Sequence, residues 1–327
     1  MAPGPAAQAS VSYSTLSGVS SELPVVTVSA AASGPAVAVG ANMHGDEVTG
    51  VGVIHALVPW LRDHLDRGVV HLYPSLNPRG LEALSRRIPG DDLDPNRAYP
   101  GSPGGSPAQR QAWRIWQDLQ RRDVQLYLDL HTDAPVAIPY AIVDRVIKGK
   151  RRADLAGRCL ALAAASGLTV LREYPAERYL RFDLQRSLPG ALVNQRGMAA
   201  LTLEVGPRRC IDPRAVADCL VATQGVLTAM GLCDAPARPH STRVTGGPWR
   251  REGGPRTTRS GVLAPLLAPG AAFSRGQVLA EVRALDGRLR EQITARFDGF
   301  VVAWPERGTV SVGATSATLA LLDSAEV

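Results

Sequence analysis

Two histidines and two glutamates stand where short apolar runs give way to polar loops, and their types suit metal-assisted hydrolysis. In AVAVGANMHGDEVTG (36–50) an apolar run ends and His44 and Glu47 follow three positions apart, before a helical pattern begins. In LYLDLHTD (126–133) a second run ends at His131. Two imidazoles and one carboxylate, each just past a strand, form the three-ligand set of a catalytic zinc site whose fourth position is left to water. A third run, ALTLEVGP (200–207), ends in Glu204. A carboxylate placed there costs free energy unless it has a partner or a task, and moving a proton between water and a leaving amine is such a task. Each segment also has an ordinary explanation. Glu47 could stabilise a helix N-terminus, His131 could be a half-buried histidine, and Asp129 could be structural or could orient an imidazole.

A loop between these segments, NPRGLEALSRRIPGDDLDPNRAYPG (77–101), carries Asn77, Arg86, Arg87, Asn96 and Arg97. Planar guanidinium and amide donors suit a carboxylate or a developing oxyanion, although loops of this composition are commonly just solvated.

The elements that must position these groups follow from periodicity. Residues 25–30, 36–41, 69–76, 126–131 and 200–205 read as buried strands. Between them, 47–66 sets Val51, Ile54, Val58, Leu61 and Leu65 on one helical stripe, and 106–122 and 212–231 behave similarly. Alternating strands and helices predict an α/β fold, a mixed and mostly parallel sheet flanked by helices, with the ligand edge at the strand C-termini. The alternation stops near residue 232. Residues 235–255 are rich in Pro, Gly and Arg and read as a linker. From 256 to 327 short β-like runs between glycine turns indicate a small all-β domain of barrel-sandwich type. The expected organisation is a zinc-hydrolase catalytic domain over 1–234, the linker, and a β domain over 256–327.

Composition narrows the function classes. The chain has 327 residues, 36 Lys+Arg against 30 Asp+Glu and a formal charge of +6, yet Lys148 and Lys150 are its only lysines. Basic residues are dispersed, with dense runs at 148–152 and 250–259, so no nucleic-acid partner is expected. The β domain resembles a biotinyl/lipoyl carrier in outline but holds no lysine, which excludes covalent carrier attachment. No run approaches the roughly 18–20 apolar residues of a membrane span. The first residues lack the basic start and apolar stretch of a secretory signal, so a cytoplasmic location is expected. Cys159, Cys210, Cys219 and Cys233 lack CxxC pairing and are expected to be buried free thiols.

The ordered set HGDE, NPRG, DPNRAYPG, DLHT and EVGP, spanning about 36–208, resembles the succinylglutamate desuccinylase/aspartoacylase branch of the zinc carboxypeptidase superfamily. That resemblance implies one Zn2+ per chain on His44, Glu47 and His131, with Glu204 as general base and acid. It implies that Asn96 and Arg97 hold a substrate carboxylate and that Arg86 polarises the scissile carbonyl, with Arg87 the alternative in an uncertain loop register. One departure is DPNR where DLNR is usual: Pro95 alters the backbone before Asn96. The family's further substrate-binding arginine has no clear match among Arg181, Arg186 and Arg196. The implied activity is hydrolysis of a small, carboxylate-bearing N-acyl amino acid, with the β domain restricting the channel. The rivals are a metallocarboxypeptidase or cell-wall peptide amidase of the same superfamily, and a metal-dead binding protein. The sequence leaves the oligomeric state open.

Overall fold

Strand pairing carries one sheet through almost the whole length of the molecule. The computed structural model describes residues 8–16, 22–147, 149–235 and 238–323, so Lys148 of the basic run lies outside the described residues. In spatial order the sheet runs Ser10–Leu16, Leu23–Ser29, Arg67–Tyr73, Ala32–Ala41, Leu126–His131, Ala199–Glu204, Tyr140–Val143 and Thr169–Arg172. It then continues through Trp249–Gly253, Thr318–Leu322, Gly299–Trp304 and Ala272–Phe273. Its centre is parallel: Ala32–Ala41 pairs with Arg67–Tyr73 and Leu126–His131, and the latter with Ala199–Glu204. Both faces are covered, so these strands read as unbroken apolar runs, and Val37, Val39, Leu126, Leu128, Leu201 and Leu203 are fully buried.

Helices Thr49–His64, Pro107–Arg121 and Pro213–Ala229 fill the expected spans. Ser106 and Gln109 form a capping box for the second, and Asp212 caps the third. The buried stripe of the first helix is Val53, Ile54, Leu57 and Leu61; Val51 and Val58 are only half-buried, so the stripe is rotated from the expected one. Two short strands, Tyr140–Val143 and Thr169–Arg172, lie outside the expected set and lengthen the sheet beyond Ala199–Glu204.

Residues 249–253 of the expected linker are a strand, parallel to Thr169–Arg172 and antiparallel to Thr318–Leu322. All five are half-buried, so WRREG carries no apolar alternation that would reveal it. A second, antiparallel sheet of Leu289–Thr294, Val278–Arg283, Gly261–Pro265 and Thr309–Val310 completes the β module. A separate apolar cluster, including Tyr140, Ile142, Leu171, Phe300 and Val302, packs that module against the parallel part of the long sheet. Arg145 and Arg172 both clasp Asp323, whose side chain is fully buried. Cys159, Cys219 and Cys233 are buried free thiols, but Cys210 is exposed, in the loop after Glu204. Among the described residues no helix is long and apolar enough to cross a membrane.

Candidate active site

The site begins with one buried asparagine. Asn42 adopts a left-handed conformation, φ 57°, which asparagine tolerates better than most residues. Its Nδ2 donates to the carbonyls of His44, Gly45 and Glu47 at 3.0–3.1 Å, and its Oδ1 accepts from Ser75 at 2.6 Å. One amide thus folds HGDE into a tight turn between strand and helix. A Cβ on Gly45 would lie 2.0 Å from the carbonyl carbon of Gly80, so the HGDE and NPRG segments touch backbone to backbone.

Within that turn His44 Nδ1 lies 2.9 Å from Glu47 Oε1. At the end of the next strand, His131 Nδ1 lies 2.8 Å from Glu47 Oε2. Potential ligand atoms of His44, Glu47 and His131 all lie within 4.8 Å of one another, and all three residues are buried. The outward nitrogens are also engaged: His44 Nε2 donates to Asp94 Oδ1 at 3.1 Å, and His131 Nε2 to Asp129 Oδ2 at 2.9 Å. A carboxylate behind each imidazole fixes the ring and its tautomer, as in metal-binding histidines. The donor set, two imidazole nitrogens and a carboxylate, fits zinc.

Charges here are strongly coupled. Burial opposes ionisation of Glu47, but His44 and His131 outweigh it and hold its carboxyl well below the usual range. Burial likewise opposes the charged form of His131, while Asp129 and Glu47 raise its pKa well above the ordinary value. Asp94 is held below the usual carboxylate range: burial acts upward, and His44, Arg86 and Arg97 prevail.

Glu204 lies directly across the parallel ladder from His131. Its Oε2 is buried without a hydrogen-bond partner among the described residues. Burial, reinforced by Asp133 and Glu47 and opposed by His131, pushes its carboxyl up to about 8. A cavity of about 200 Å3 is lined by His44, Glu47, His131 and Glu204 together with Arg86, Asn96 and Arg97. Arg86 reaches Glu47 at 3.4 Å and Asp94 at 3.0 Å. Arg87 is outside the cavity, half exposed and 4.0 Å from the exposed Asp92. Asn96 Oδ1 accepts from Leu188 N, and its Nδ2 lies 3.4 Å from His131 Nε2. Arg97 donates Nε to the Phe182 carbonyl and Nη1 to that of Asn96. Pro95 is accommodated because it opens the turn Pro95–Arg97, where no amide donor is needed, and Asp94 caps it by accepting from Asn96 N.

Several charged residues of the cavity and its support escaped the sequence reading. Asp94 is one, although it adjoins the NR pair. Arg208, two residues beyond EVG, donates to the Thr132 carbonyl and lies 3.7 Å from Glu47 and 4.0 Å from Glu306 of the β module. Arg251 enters the cavity from the strand hidden in the Pro/Gly/Arg-rich segment, pairing with Glu173 at 3.3 Å while its Nε is buried and unpartnered among the described residues. Glu173 and Asp144 complete the far wall. Arg181, Arg186 and Arg196 do not line this cavity.

Residues 33–230 match the succinylglutamate desuccinylase/aspartoacylase catalytic domain. The chain is 25% identical over 301 residues to an N-alpha-acetyl-L-2,4-diaminobutyric acid deacetylase of Halomonas elongata, covering 90% of this chain and 84% of that protein. Among solved structures, a succinylglutamate desuccinylase/aspartoacylase from Rhodobacter sphaeroides superposes with a TM-score of 0.80 at 20% identity, covering 97% and 96% of the two chains. The product-bound ectoine utilization protein EutE from Ruegeria pomeroyi gives 0.79 at 19% identity, covering 98% of each. These two structural likenesses establish a common fold.

Proposed function

Because the chain belongs to the succinylglutamate desuccinylase/aspartoacylase family, we propose that its cavity hydrolyses the amide bond of a small N-acyl amino acid, with zinc held by His44, Glu47 and His131. One observation carries this: two imidazoles and a carboxylate converge on the cavity into which Glu204 brings a buried carboxyl oxygen that no described residue hydrogen-bonds. A zinc ion there supplies Lewis-acid polarisation of the carbonyl and acidifies water.

The chain's own groups do the rest. Glu204 accepts a proton from the attacking water at Oε2 and delivers it to the nitrogen of the departing amine. One carboxyl serves first as base and then as acid because it holds the proton between the two transfers. Arg86 faces the ligand cluster and stabilises the negative charge that develops on the carbonyl oxygen. Asp94 and Asp129 hold the two imidazoles in place from behind. Asn96, Arg97 and Arg251 bind the substrate carboxylate, Arg97 being oriented by the two backbone carbonyls it already contacts.

The rival, a peptidase or peptide amidase, needs an open groove. A cavity of about 200 Å3, with Glu306 of the β module set beside Arg208, favours a small substrate. The deacetylase activity named for the Halomonas elongata relative points the same way. The test is a panel of N-acetyl and N-succinyl amino acids beside short peptides, with zinc content measured on each preparation. Turnover of acyl amino acids in proportion to bound zinc is expected; cleavage of peptides alone, or turnover unaffected by complete zinc removal, refutes the proposal.

A further inference from the structure

The cavity wall opposite the ligand cluster bears a carboxylate that the hydrolytic mechanism does not use. Asp144 follows the strand Tyr140–Val143, is 8% exposed and lines the same cavity as Glu204 and the ligand cluster. The Tyr179 hydroxyl donates to its Oδ1 at 2.7 Å. Its Oδ2 receives no hydrogen bond, and Asp144 forms no ion pair, among the described residues. The neighbouring acid of that wall has its partners: Glu173 accepts from Arg251 and from Tyr174 N, while Arg97 donates to two carbonyls and no carboxylate claims it among the described residues. A buried carboxylate without a cation is costly unless something supplies one.

Resting on the hydrolase function proposed above, we propose that Asp144 holds the side-chain ammonium of the substrate, so that the amine released is a diamino acid. Arg97 and Arg251 then take the α-carboxylate, and the cavity reads both charges of a zwitterionic product. Burial and the neighbouring Glu173 push the Asp144 carboxyl up to about 7, against the pull of Tyr179 and Arg97. A cation at Oδ2 removes that frustration, and an anionic side chain such as that of glutamate aggravates it. Along the strand, Tyr140 lies opposite Glu204, and four residues of extended chain, about 13 Å, separate Tyr140 from Asp144.

Binding of the free amine separates this inference from the hydrolase assignment, because it needs neither an acyl group nor turnover. L-2,4-diaminobutyrate, L-ornithine and L-lysine are titrated calorimetrically into the full-length protein, with L-norvaline and L-norleucine as methyl-ended controls. One charged hydrogen bond in a dry site corresponds to about a ten- to hundredfold change in affinity. At least one diamino acid should bind tenfold or more tightly than the controls, and that ratio should collapse below threefold in Asp144→Asn. The same ratio in kcat/KM for the N-acetyl and N-succinyl derivatives should collapse with it. Equal or absent binding of all five amines, a ratio that survives the substitution, or an equal loss on charged and methyl-ended ligands overturns the proposal. Turnover of acyl amino acids without preference for the ammonium refutes Asp144 alone, whereas no turnover of any acyl amino acid refutes the hydrolase assignment.

Discussion

Asp129→Asn removes one negative charge from behind His131 without changing side-chain size. Asp129 is fully buried and receives two donors at 2.9 Å, His131 Nε2 on Oδ2 and the Tyr127 hydroxyl on Oδ1. A carboxamide has one acceptor oxygen, so one donor must face an NH2 group. Two effects then compete. Losing the carboxylate lowers the affinity of His131 for its proton, which favours a metal competing for that ring. The same loss removes attraction for the metal, and a dication feels it about twice as strongly as a proton does. The second effect wins. Loss of such an imidazole-orienting carboxylate typically costs about 10–100-fold in metal affinity, equivalent to about 1.4–2.8 kcal/mol. Competition against a chromophoric zinc chelator at pH 7.5 measures it. A zinc affinity within twofold of the parent protein would show that Asp129 is a packing residue, and the orienting role would be lost.

Four further outcomes follow from the cavity. Glu204→Gln should retain full zinc occupancy by elemental analysis while kcat falls by about 10²–10⁴-fold. In the zinc-free protein, the raised pKa of Glu204 means the folded chain keeps a proton that the unfolded chain releases between about 4.5 and 8. Its contribution to stability therefore declines as pH rises through that window, and Glu204→Gln should lose less Tm than the parent between pH 5 and 8. Arg86→Ala should lower kcat by about 10²-fold or more, the scale of a lost oxyanion donor, while Arg87→Ala stays within twofold; the opposite pattern would reverse the assignment. Arg251→Ala should raise KM about tenfold or more with kcat less affected, as loss of a substrate-holding contact does; an unchanged KM would remove Arg251 from substrate binding.

The ligand cluster and Glu204 were legible because chemistry and topology coincide there. A parallel strand buried on both faces is a plain apolar run, and the residues at its C-terminal end are the ones that break it: His44 and Glu47 after Ala32–Ala41, His131 and Glu204 at the ends of their own strands. Asn96 and Arg97 were found through their motif. What escaped was positioned by pairing rather than by pattern. Tyr140–Val143 has four residues, too few to show a period, so nothing marked Asp144 as standing at a strand end. Trp249–Gly253 is a strand because it has neighbours on both sides, not because of its own composition, and Arg251 was hidden with it. The choice between Arg86 and Arg87 turned on one residue of register in an irregular loop, which only three-dimensional packing determines.

The sheet that runs without a break from the ligand strands into the β module makes order of assembly matter. A fragment ending near residue 234 would contain every ligand side chain and Glu204, yet leave Thr169–Arg172 as an open edge with unpaired amides and carbonyls. Such an edge is a template for pairing with another chain. It would also expose the buried apolar side chains Tyr140, Ile142 and Leu171, which the β module covers, and leave Arg145 and Arg172 without Asp323. The half that carries the ligand cluster therefore depends on the later half to pair its sheet edge and to cover its apolar side chains.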